Sequence, residues 1–292
     1  MNTIKTAFLM ALLMGVMVAV GGAFGGHTGA TIMLVLAIAM NFFVYWNSAS
    51  MALAAYNAQE VSREEAPQLY QLIENLAANA EIPMPRVYLI PSDVPNAFAT
   101  GRNPSHAAVA VTTGIMRALD YNELSGVLAH ELSHVKHRDI LISSIAATMA
   151  TFIGYIANIA QWAAIFGTGR SDDDEDGGGL IGLLVTIIVA PIAASLIQLA
   201  ISRSREYDAD KSGGEICGNP NYLADALEKI EYYAKHMAEI PATPTTEATA
   251  HMFIINPLSG SGKALVNLFS THPATEERIA RLRQQARDMG LA

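Results

Sequence analysis

The sequence contains a single cysteine, Cys217, in 292 residues. An internal disulfide is therefore excluded, as is a metal site built from several thiolates; Cys217 reads as a small, inert thiol. Charge is also scarce. Asp, Glu, Lys and Arg make up 15% of the chain, and the net charge is −9. A nucleic-acid-binding surface needs clustered Lys and Arg, so no nucleic-acid partner is expected. The deficit of charge is uneven. No charged residue occurs from Thr6 to Gln59, from Ile140 to Gly169 or from Gly177 to Ser202. These stretches are apolar, in a chain that is 51% hydrophobic and carries 13 Met.

The uncharged stretches read as four membrane spans. Thr6–Phe24, directly after Lys5, is long enough to cross a hydrocarbon core of roughly 30 Å; a cleavable signal peptide is the competing reading. Ala30–Trp46 follows after only Gly25-Gly26-His27-Thr28-Gly29, which favours a membrane hairpin, with Tyr45 and Trp46 suited to the interfacial aromatic belt. Ile140–Phe166 corresponds to about 40 Å of helix, and Leu180–Ile201 is the fourth candidate. The acidic run at 172–176 between them, flanked by glycines, reads as a solvated loop and lacks the spaced ligands of an EF-hand. Four spans place 17 of the 18 Lys and Arg on one side, with Arg170 alone opposite. The positive-inside rule makes that side the cytoplasm, where a lone cysteine stays reduced.

The stretch that carries chemistry is His130-Glu131-Leu132-Ser133-His134, an H-E-x-x-H sequence inside a helical pattern running from Asn122 to Arg138. At 3.6 residues per turn, positions 130 and 134 stack on one face. Two imidazoles so placed can bind one zinc ion (Zn2+), and Glu131 is positioned to take a proton from the attacking water. A catalytic zinc usually has a third protein ligand. His137, seven residues from His130, lies about 10 Å along the axis and is too far. His251 lies in a probable loop and lacks the Gly-spaced extension of a third-histidine motif. Glu206 and Asp210, four apart, share a helix face: one can bind metal while the other orients a ligating imidazole.

The segment from Glu60 to Arg138 otherwise looks soluble. Ser62 reads as the N-cap of a helix through Leu69, Leu72, Ile73 and Leu76, with Glu65 completing a capping box and Pro83 and Pro85 stopping it. Val87–Ile90 and Ala107–Val111 are short β-prone runs. Between them, Asn96, Ala97, Phe98 and Ala99 are expected to form an edge strand of an antiparallel sheet, ready to pair with an extended peptide; a plain surface hairpin is the alternative. Further on, Tyr222, Leu223, Ala226, Leu227 and Ile230 form a helical face. Residues 236–263 read as a loop, and an amphipathic helix begins near Thr275 and runs to about Asp288.

The four apolar runs, H-E-L-S-H leading into the third of them, N-A-F-A-T-G upstream, S-R-S-R-E-Y-D-A-D after the fourth and T-H-P near the end together resemble the HtpX family of membrane-bound heat-shock zinc proteases, distant relatives of the CAAX prenyl proteases. That resemblance implies a mainly α integral membrane protein whose cytoplasmic zincin-like α+β domain carries a small antiparallel sheet. It implies four segments: a transmembrane hairpin (1–59), a first catalytic part with the zinc helix (60–139), a second transmembrane hairpin (140–201) and a second catalytic part (202–292). It makes His130, His134 and Glu206 the zinc ligands, Glu131 the general base and Asp210 the residue behind a ligand. His272 of T-H-P becomes a donor to the tetrahedral oxyanion, with a helix-capping role as the alternative. Arg203 or Arg205 is expected to hold substrate or to pair with the zinc helix. The implied activity is endoproteolysis of damaged or misassembled membrane proteins at the inner membrane. The competing readings are a CAAX-type processing protease and a non-catalytic zinc scaffold or chaperone.

Overall fold

A computed structural model describes residues 2–145, 203–236 and 273–291. The greater part of the third apolar run, the fourth run, the acidic loop, His251 and His272 lie outside the described residues. The first helical segment, α1 (Asn2–Ala55), is two arms joined at Gly26, whose φ of 55° and ψ of −146° are open to glycine and strained for other residues. The arms fold back on each other. The Asn41 side-chain amide donates to the Met10 carbonyl at 3.0 Å, and a Cβ on Gly21 would lie 2.5 Å from the Gly29 carbonyl oxygen. The hairpin expected across Gly25–Gly29 therefore turns on one residue, and its second arm continues past Trp46 to Ala55. Among the described residues one helix, Gly25–Ala55, is long and apolar enough to cross a membrane.

The sheet differs from expectation. Strands β1 (Gln59–Glu60), β2 (Arg86–Ile90), β3 (Ala97–Gly101) and β4 (Ala107–Thr112) lie in the order β1-β2-β4-β3. β1 pairs with β2 and β3 with β4 antiparallel, but β2 and β4 run parallel, so the sheet is mixed rather than antiparallel. The connections set the directions: β3 turns back into β4, which inserts between β3 and β2 and so runs parallel to β2. β3 and β4 are buried along their whole lengths, the pattern of strands covered above and below rather than of a half-wet antiparallel pair. Val87, Ala97, Ala99, Val109 and Val111 pack on the main core. Tyr88, Ile90, Phe98, Ala108 and Ala110 point the other way, against Ala52 and Leu53 at the end of α1. β3 is nevertheless an edge strand, as expected. Gly101, with φ 145°, makes its corner: a Cβ there would lie 2.5 Å from the His106 carbonyl.

Helix α2 (Pro67–Asn79) buries Leu69, Leu72, Ile73 and Leu76. The Ser62–Glu65 capping box forms, but it closes a turn ahead of the helix, which opens on Pro67. Proline is favoured at a first helical position because its missing N–H would be unpaired there anyway. The helix ends at Asn79, before Pro83, where Glu81 adopts a positive φ of 58°. After α3 (Thr113–Ala118), helix α4 (Tyr121–Lys136) carries H-E-x-x-H, with Asp120 and Glu123 forming its capping box. Helices α5 (Arg203–Cys217) and α6 (Pro220–His236) pack on it, and α7 (Thr275–Asp288) packs on those two. Two glycines allow α4 to be approached at backbone distance. A Cβ on Gly126 would lie 2.4 Å from the Leu223 nitrogen of α6, and one on Gly213 of α5 would lie 2.9 Å from the His130 nitrogen.

The contact at Gly213 sets the spacing between the two helices that bear the site. Gly213→Ala should force them apart and destabilise the fold by about 1–3 kcal/mol, read as a lowered midpoint in denaturant unfolding. An unchanged midpoint would mean that the crossing is not tight at this point.

Candidate active site

α4 and α5 cross with one functional face each turned inward. His130 and Glu131 are buried on α4, Glu206 and Asp210 are buried on α5, and Asp208 is exposed on the opposite side of α5. The helical period accounts for this separation. The Nε2 atoms of His130 and His134 stand 3.3 Å apart. Glu206 Oε2 lies 3.6 Å from His130 Nε2, and Oε1 lies 3.7 Å from His134 Nε2. Ligands about 2.0–2.1 Å from a tetrahedral zinc stand about 3.3 Å from one another, so the three groups can hold such an ion with small adjustments. Among the described residues no fourth His, Cys, Asp or Glu joins this cluster. His137 does not: it follows the last residue of α4, with its Nε2 3.3 Å from Ser212 Oγ.

Each imidazole is held from behind by a carboxylate. His130 Nδ1 lies 3.0 Å from Asp210 Oδ1, and His134 Nδ1 lies 3.2 Å from Asp139 Oδ2. Such contacts fix the ring's tautomer and orientation and make it a better ligand. Each carboxylate in turn faces an arginine. Arg278 of α7, 1% exposed, donates from Nε and Nη2 to Asp210 at 2.9 and 2.7 Å. Arg205 Nε lies 3.9 Å from Asp139 Oδ1. Of the two arginines expected near the zinc helix, Arg205 therefore lies close to its end. Arg203 is the first residue of α5, and its side chain lies outside the described set.

The sequence reading missed Arg278 and Asp139. Arg278 left a signal: with Leu282 and Ala286 it lies at i, i+4 and i+8 on the buried stripe of α7, where an unpaired charge would be costly. Asp139 left none, because its approach to His134 depends on the turn after α4, where Arg138 takes a positive φ of 60°.

The electrostatics follow from burial and these partners. Burial alone would favour a neutral His130, yet Asp210 and Glu206 outweigh it and push the imidazole up to about 9. A metal must therefore displace a proton there. Burial would raise Asp210, but the Arg278 guanidinium overrides it and holds the carboxyl at about 2. Burial pushes Glu131 up, opposed by the two imidazoles, and a raised carboxyl is what a general base working near neutrality requires. Its Oε2 accepts the Ala99 N–H at 3.0 Å, joining H-E-x-x-H to β3. The expected substrate quartet Asn96, Ala97, Phe98 and Ala99 is buried. What β3 can offer is its backbone edge rather than these side chains.

Residues 63–286 match the description Peptidase family M48. The chain belongs to peptidase family M48. Among similar M48 proteins are Protease HtpX homologs of Persephonella marina, 55% identical over 99% of both chains, and of Syntrophobacter fumaroxidans, 56% identical over 96% of this chain and 98% of the relative. The fold is also similar to that of Ste24p from S. mikatae, with a TM-score of 0.50 at 18% identity, covering 96% of this chain and 65% of that one. This M48 protein is a membrane metalloendopeptidase acting on protein or peptide substrates, as the HtpX resemblance implied.

Removing Arg278 leaves Asp210 buried without its counter-charge. Arg278→Met should cost about 3–5 kcal/mol at neutral pH and should leave stability less dependent on pH in acid. The depressed Asp210 contributes stability above its ordinary range near 3.9, and this is lost as pH falls from about 4 through about 2. With that carboxyl no longer depressed, the variant lacks this contribution at every pH, so its stability should fall less than the parent's as pH drops below about 4. Denaturant unfolding between pH 3 and 7 measures both; an acid limb as steep as the parent's would show that Arg278 does not hold Asp210 ionised.

Proposed function

We propose that His130, His134 and Glu206 bind one zinc ion and that Glu131 is the general base of a membrane-embedded endopeptidase. The observation that supports this most directly is the convergence of three ligand atoms beside a buried carboxylate that already touches an edge strand. When bound, zinc would polarise the scissile carbonyl and activate the attacking water. Glu131 takes that water's proton and passes it to the leaving amine. Asp210, held by Arg278, keeps His130 oriented, and Asp139 does the same for His134. The edge of β3 over 96–99 receives an extended substrate by backbone pairing, Arg203 contacts the substrate and His272 donates to the oxyanion.

In this reading the chain inserts as two hairpins (1–59 and 140–201), with the catalytic domain assembled from 60–139 and 202–292 on the cytoplasmic side of the inner membrane. Its substrates are damaged or misassembled membrane proteins. Three ligands without a fourth among the described residues favour a catalytic over a closed structural zinc site, which weighs against the scaffold reading.

Glu131→Gln should keep zinc while lowering casein cleavage by roughly a hundred- to ten-thousand-fold. His130→Ala and His134→Ala should lose both metal and activity. Near-normal turnover by Glu131→Gln would remove it from the base role, and full zinc occupancy in both histidine variants would sink the site.

The two carboxylates on the inward face of α5 should separate in zinc titration. Glu206→Gln should sharply weaken metal binding, Asp210→Asn should weaken it about 10–100-fold, and the exposed Asp208→Asn should do little. Parent-like affinity in Glu206→Gln with collapse in Asp210→Asn would mean that the two roles are exchanged.

A further inference from the structure

The second arm of α1 changes character at Trp46. Ile32, Val35, Phe42, Phe43 and Trp46 are all exposed, whereas a few residues on Ala52 and Leu53 are buried under the sheet. Lipid-facing surface thus gives way to protein contact within about two helical turns, and a tryptophan stands at the change, where an interfacial aromatic is favoured. The other arm agrees. The offset set by Gly21 against Gly29 and Met10 against Asn41 puts Lys5 level with Tyr45 and Trp46.

The soluble domain contributes a cation at the same level. Arg102, in the turn between β3 and β4, lies with its guanidinium carbon 4.4 Å from the centre of the Trp46 ring. Among the described residues Arg102 has no carboxylate partner. Stacking fixes one face of the guanidinium and leaves its in-plane N–H donors for an acceptor. A cation on an aromatic at the bilayer boundary, with no protein anion, matches the phosphate of an anionic phospholipid.

We propose that the β3–β4 turn is a bilayer-docking element in which Arg102, stacked on Trp46, binds an anionic phospholipid headgroup. Docking there fixes the height of the edge strand. Ala99, whose N–H meets Glu131, is three residues from Arg102, about 10 Å at 3.3 Å per residue. The strand is therefore presented to polypeptide lying just above the bilayer surface, so that segments beside a membrane span are favoured substrates. This consequence rests on the protease reading above; the lipid contact does not.

The test uses the full-length protein with Trp162→Phe, so that Trp46 alone emits, in vesicles of equal parts phosphatidylglycerol and phosphatidylcholine. One of the two lipids is brominated on its acyl chains near the headgroup. One basic residue at the surface enriches anionic lipid locally by about five-fold. Brominated phosphatidylglycerol should therefore quench Trp46 clearly more than brominated phosphatidylcholine, and Arg102→Gln should make the two equal. Equal quenching in the parent, or a preference that survives in Arg102→Gln, overturns the headgroup site. Absence of quenching by either lipid overturns the placement of Trp46 at the bilayer. None of these readouts depends on proteolysis, so a failed protease reading leaves the test intact.

Discussion

Burying a guanidinium is tolerable only if a carboxylate is buried with it, and here the carboxylate that serves Arg278 also steadies a metal-site histidine. Arg278, Asp210 and His130 form a continuous line from α7 through α5 to α4. Asp210 lies between two cationic groups, so it stays ionised in a dry environment and remains an acceptor for the imidazole. The arrangement makes the C-terminal helix part of the site although it supplies no residue to the three-ligand cluster. A parallel line on the other side, from Arg205 through Asp139 to His134, is longer at its outer end.

Close helix packing makes these lines possible. A carboxylate reaches from α5 to the imidazoles of α4 only if the axes are near, and Gly213 against the His130 backbone permits that approach. The same packing faces Glu206 and Asp210 inward and leaves Asp208 outside, so an acidic stretch of α5 is divided by helical period into functional and solvated positions.

The sheet connects this centre to the membrane. Its two faces pack on different partners, the α2 and α4 core on one side and the end of the α1 hairpin on the other. β3 reaches both: Ala99 donates to Glu131, Phe98 lies against Tyr56 with the rings tilted at a centroid distance of 5.4 Å, and Thr100 shares a hydrogen bond with Ser144 at the entry to the third apolar run. The strand that meets Glu131 is thereby tied to membrane-proximal elements on its reverse side.

Local physical rules made much of this visible beforehand. The 3.6-residue period placed His130 with His134 and Glu206 with Asp210, the long uncharged stretch at the N-terminus announced the hairpin, and the apolar stripe from Tyr222 to Ile230 announced α6, because each signal lies within a few turns of chain. Motif order extended this to the M48 assignment. The parallel pairing of β2 with β4 was not legible, since a strand's apolar pattern records burial but not which strand it pairs with or in which direction. The capping box at Ser62 was legible as a pair of bonds but not as a helix start, because Pro67 competed for that place. Sequence alone therefore determined the chemistry of the ligand set and the faces on which it stands. Only the tertiary structure decided that Arg278 stands behind Asp210 and Asp139 behind His134, because a charge's partner, across 68 residues for Arg278 and around a turn for Asp139, is chosen by packing and desolvation, and neither is written in local spacing.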